Sequence, residues 1–94
     1  MKIRRKVIRL YFWKDLLQVA ILSADMLFKK KLLDNKSKQW VEVKDDLYKI
    51  QSRMEKIKHR YINSNHKDKD VMIAFIDPEL SVCQNIINKY KPHP

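Results

Sequence analysis

The strongest pattern along the chain is an apolar stripe between Trp40 and Tyr61. Trp40, Val43, Leu47, Ile50, Met54, Ile57 and Tyr61 recur at intervals that alternate three and four, the repeat of one helix face sustained over three heptads. Ser37 is placed to cap the start of this helix, and Asp45 and Asp46 lie in its N-terminal half. Lys56, Lys58, His59 and Arg60 suit the negative end of the helix dipole. The polar run Asn63-Ser64-Asn65 closes it.

Upstream, Ile3, Val7, Leu10, Leu17, Ile21, Ala24 and Phe28 also fit helical spacing, while Ile8, Phe12, Leu16 and Val19 add a second apolar row. A helix with so wide an apolar face is expected to be substantially buried. The turn Asp34-Asn35-Lys36-Ser37 is short, so the two long helices are expected to lie antiparallel against each other.

Beyond the polar loop over residues 63–70, the six apolar residues from Val71 to Ile76 suit either a buried helical turn or a strand. Asp77-Pro78-Glu79-Leu80 reads as a helix start, with Asp as N-cap and Pro at the first position. Leu80, Cys83, Ile87 and Tyr90 would line one face of that last helix. The expected fold class is therefore all-α, a small helical bundle built on a long antiparallel helical hairpin. The alternative is a small α+β domain with strands near 7–13 and 71–76, a two-stranded sheet that is marginal unless helices cover it. The 94 residues are read as a single helical domain over 1–94, with a basic N-terminal segment at 1–14 and a short flexible C-terminal tail at 91–94.

Composition narrows the function classes. The chain has no glycine, where average usage is about 7%. A P-loop, a dinucleotide fingerprint and an EF-hand loop each need glycine where backbone approaches a ligand or φ is positive. Cys83 is the only cysteine, which excludes an intramolecular disulfide and a multi-cysteine zinc site and makes a reduced, cytoplasmic setting the expectation. Forcing residues 10 to 28 across a bilayer would bury Lys14, Asp15 and Asp25, at about 2.5 to 3.5 kcal/mol for each charge near the centre. No transmembrane span is expected. The abundance of Lys, Ile and Asn over Gly and Ala points to an AT-rich gene, as in low-GC bacteria, their phages and mobile elements.

Charge changes the picture most. The formal net charge is +10. Lys2, Arg4, Arg5, Lys6 and Arg9 precede Tyr11-Phe12-Trp13, and Lys49, Arg53, Lys56 and Arg60 recur at spacings of four, three and four. The second set forms a stripe offset from the apolar one, with few acid partners on its own helix. Arg53 to Arg60 spans about 10 Å at 1.5 Å per residue, comparable with successive phosphates along a backbone. Cations interleaved with aromatic rings suit a nucleic-acid groove, although a solvated lysine-rich face explains the same residues. No helix-turn-helix or zinc finger is present, so recognition of DNA or RNA would be by backbone or shape.

The leading expectation is thus a small basic regulator that binds nucleic acid. One alternative is an inhibitor or adaptor that docks on an acidic protein surface, with Trp13 or Trp40 as anchor. Another is a protein lying on an anionic membrane surface. A parallel coiled coil through the 40–61 helix would oppose Arg53 to Lys58 and is disfavoured, which leaves self-association through another face open. Catalytic arrangements are sparse. His66-Lys67-Asp68-Lys69-Asp70 alternates ligand types with opposing lysines, Cys83 lies on an apolar face, and Asp25 is expected to reach solvent or a lysine. No enzyme activity, metal or cofactor is expected.

Overall fold

The computed structural model describes residues 10–93. Three helices account for most of them: α1 (Phe12–Asp34), α2 (Trp40–Ile62) and α3 (Lys69–Tyr90). Short connections run them up, down and up, so the all-α expectation holds and α1 and α2 form the antiparallel hairpin. Among the described residues there is no strand, and 71–76 belongs to α3. Of the described part of the other proposed strand, Leu10 and Tyr11 precede α1 and Phe12 and Trp13 are its first two residues.

The core is organised around the α2 stripe. Val43, Leu47, Ile50, Met54, Ile57 and Tyr61 are buried, against Val19, Leu22, Met26 and Leu33 of α1 and Met72, Ile76, Cys83, Ile86 and Ile87 of α3. Trp40, at the end of the stripe, is only partly covered and packs edge-on to Tyr48 at 6.0 Å.

Two expectations about local structure need correction. Ser37 does not cap α2; its backbone N–H donates to Asn35 Oδ1 at 2.9 Å, while the N-cap is Gln39, whose N–H donates to Glu42 Oε2 at 2.8 Å. The turn consumes Ser37 because Lys36 takes φ 62°, the left-handed position that glycine fills in most chains and that this chain must fill without one. The helix start at Pro78 is likewise not observed, since α3 already begins at Lys69 and runs through Pro78. Proline removes one helical hydrogen bond, here to the carbonyl of Ala74. Both residues are exposed, so water can serve that carbonyl.

A third correction concerns α1. Leu17, Ile21, Ala24 and Phe28, the row expected to face the core, are all exposed. The buried residues are Asp15, Val19, Leu22, Ser23, Met26 and Leu33, on the opposite side. A helix with apolar residues on two opposite sides does not say by periodicity which side faces in, and here only one of them is covered.

Candidate nucleic-acid interface

On α2 the residues offset from the core stripe by one position round the helix are Lys49, Arg53, Lys56 and Arg60, and all four are exposed. Some cations elsewhere on the described surface are paired with carboxylates. Lys58 meets Asp77 at 2.6 Å, Lys30 meets Asp34 at 2.6 Å, and Lys89 approaches the same Asp34 at 3.7 Å. Lys30 also holds the Asp34 carboxyl below the usual carboxylate range, first through its hydrogen bond. Lys29 bridges Asp25 at 3.5 Å and Asp46 at 3.6 Å. Asp25 thus reaches a lysine as expected, and Asp46, one of the acids the sequence offers to Lys49, is turned toward α1 instead. Among the described residues Lys49, Arg53 and Lys56 have no ion-pair partner.

Arg60 differs from the rest of the row. Its guanidinium lies 3.4 Å from Asp15 Oδ1, so the expectation that it lacks a counter-ion is corrected. Asp15 is 8% exposed, and its other oxygen accepts a hydrogen bond from the Tyr61 hydroxyl at 2.7 Å. Burial, followed by that carboxylate, raises the Tyr61 phenol above its ordinary value of 10. The phenol therefore stays a donor, and the Asp15 linkage pins the start of α1 to the end of α2. Asp15 and Arg60 are 45 residues apart. The only trace of this contact in the sequence is a charge placed in an otherwise apolar helix.

A groove lies beside this linkage. Gln18 from α1 and Arg53, Lys56, Ile57, His59 and Arg60 from α2 line an open trough of about 560 Å³, with buried Ile57 as an apolar floor and cations on the rim. Tyr11, Lys14, Asp15, Gln18 and Arg60 line a second depression beside it. Lys14, Gln18 and His59 are thus part of the surface although the sequence gives no reason to single out the first two. Glu55 is the nearest acid on the far flank, where it shares a depression with Ser52, Lys56 and His59.

Lys2, Arg4, Arg5, Lys6 and Arg9 lie outside the described residues. The chain that carries them joins Leu10, next to the depression that Tyr11, Lys14 and Arg60 line. Trp13 is 78% exposed, whereas Trp40 is half-buried beside Leu33, Lys38 and Tyr90; of the two anchors considered, only Trp13 is open to a partner.

Groups that could carry other chemistry have structural roles. His66 stacks on Phe12 and meets Tyr61 edge-on, and its Nδ1 accepts the Asp68 N–H at 3.0 Å, which orders the α2–α3 loop. Among the described residues no group of three or more His, Cys, Asp or Glu converges. Cys83 is buried with its sulfur 3.7 Å from the Leu47 carbonyl, and burial, then Glu55, pushes its thiol up to about 11. No described helix is long and apolar enough to cross a membrane. The chain matches no protein-family model, no curated protein and no solved structure.

Proposed function

We propose that this chain is a small, non-enzymatic, cytoplasmic regulator that binds nucleic acid through phosphate and shape contacts, encoded by a phage or mobile element. One observation carries the reading: Lys49, Arg53 and Lys56 stand exposed at helical spacing on one face of α2, in line with Arg60 and without carboxylate partners among the described residues. Unpaired like charges at helical spacing repel one another. A polyanion removes that repulsion and releases its own counter-ions, which favours binding.

The test is a titration of labelled duplex DNA and of single-stranded RNA at several salt concentrations. Affinity should fall steeply with salt, with a log–log slope of about −0.9 per phosphate neutralised on duplex DNA. The triple variant Lys49→Gln, Arg53→Gln, Lys56→Gln should flatten that slope by about three and weaken binding to all sequences alike. Absence of binding at low salt, or an unchanged slope in the triple variant, refutes the proposal. A second reading, an inhibitor or adaptor on an acidic protein surface, draws support from the apolar floor at Ile57, which suits a peptide side chain. A partner retained after nuclease treatment and lost in the triple variant would favour it.

A further inference from the structure

The outer face of α1 is the least expected surface of the molecule. Trp13, Leu17, Ala20, Ile21, Ala24 and Phe28 are all exposed, at 78% for Trp13, 61% for Leu17, 54% for Ile21 and 57% for Phe28. Leu27 widens the stripe. Sixteen residues of helix make it about 22 Å long, and no charged side chain interrupts it. A soluble domain rarely leaves so continuous an apolar strip in water without a partner.

The order of sizes along the strip says what fits it. Bulky residues stand at both ends, and the small pair Ala20 and Ala24 lies between them. An antiparallel copy centred on the small pair would set the bulky ends against each other, Trp13 of one chain beside Leu27 of the other, and bring the two Ala20 positions together near the centre. Small residues at a crossing let two helices approach closely.

The rim gives a second, independent argument. Lys14 and Asp25 are eleven residues apart, three helical turns, and so occupy the same edge of the strip. A two-fold axis between Val19 and Ala20 would set Lys14 of each chain opposite Asp25 of the other, giving two opposite-charge pairs. Asp25 is nearly half exposed despite its contact with Lys29, so it can face both. An anionic lipid surface would attract Lys14 but repel Asp25, which disfavours that occupant.

We propose that the outer face of α1 pairs antiparallel with the same face of a second copy of this chain, locked in register by reciprocal Lys14–Asp25 contacts. The strip is separate from Lys49, Arg53 and Lys56 of α2 and meets the cationic surface only at Lys14, which also lines the depression beside Arg60, so the dimer presents two such rows. Neither proposal rests on the other.

Sedimentation and light scattering on the full chain test this directly. The wild type should form a dimer, and Leu17→Glu or Ile21→Glu should weaken association at least about a hundredfold while leaving the helical spectrum intact, because both positions are exposed. Lys14→Asp and Asp25→Lys should each weaken it about tenfold, with recovery in the double swap. Ala20→Cys should oxidise to a linked dimer and Phe28→Cys should not, with Cys83 staying buried in both. The triple variant of α2 should leave association unchanged. A monomer at every concentration, a dimer indifferent to Leu17→Glu, a double swap without recovery, or a monomer that instead binds phosphatidylglycerol vesicles through Leu17 would each overturn the proposal.

Discussion

Asp15 and Cys83 are both buried, and they differ in the partners they find there. Asp15 has two donors, the Tyr61 hydroxyl and the Arg60 guanidinium, so each of its oxygens has a partner in the interface between α1 and α2. Cys83 has only a carbonyl near its sulfur, and desolvation penalises the thiolate. Its folded value of about 11 stands above the ordinary 9, so folding favours the protonated thiol. The corresponding stability is complete below pH 9 and is lost as pH rises through about 11. Denaturation midpoints measured from pH 8 to 11 should therefore fall more for the wild type than for Cys83→Ala. The native thiol should also resist a disulfide reagent at pH 8 until the chain unfolds. Prompt labelling of the folded protein would contradict the burial on which both outcomes depend.

At the level of the helix, Pro78 is the clearest departure from local preference. Proline in a helix interior costs about 3 kcal/mol relative to alanine, and α3 tolerates it because Met72, Ile76, Cys83 and Ile87 are all fully packed on the inner side. Pro78→Ala should raise stability by about 1 to 3 kcal/mol in urea unfolding, and a loss would mean that the proline ring makes a packing contact that outweighs its missing hydrogen bond. The same packing explains what was legible beforehand. Met72, Ile76 and Cys83 continue one helical face across the proline, but Asp77-Pro78-Glu79 carries a stronger local start signal, and the local signal loses to burial. In α2 the periodicity and the burial agree, so both the helix and its cationic flank are readable from spacing alone. In α1 the apolar residues lie on two opposite sides of the helix, and the buried side is chosen by contact with α2, which no local spacing encodes. Lys49, Arg53 and Lys56 are therefore visible in the sequence, whereas the groove beside them is not, because its other wall is Gln18 of α1, which no spacing along α2 places there.

At the scale of the whole molecule, the chain itself links the two basic clusters of the sequence. Tyr11, Lys14 and Arg60 line one depression, so the chain bearing Lys2, Arg4, Arg5, Lys6 and Arg9 is tethered beside the cationic end of α2. Five cations attached there act at a high effective concentration on any anion already held by the groove. If both clusters contact one nucleic acid, deletion of residues 1–9 should flatten the salt dependence by about four to five, beyond the change of about three from the α2 triple variant, and the two changes should add. Deletion that leaves the slope unaltered would assign the contacts to α2 alone. Deletion that abolishes binding, while the α2 variant binds normally, would instead make the N-terminal cluster the site. The comparison separates a single continuous cationic surface from two unrelated ones, because only a shared ligand makes the slopes sum.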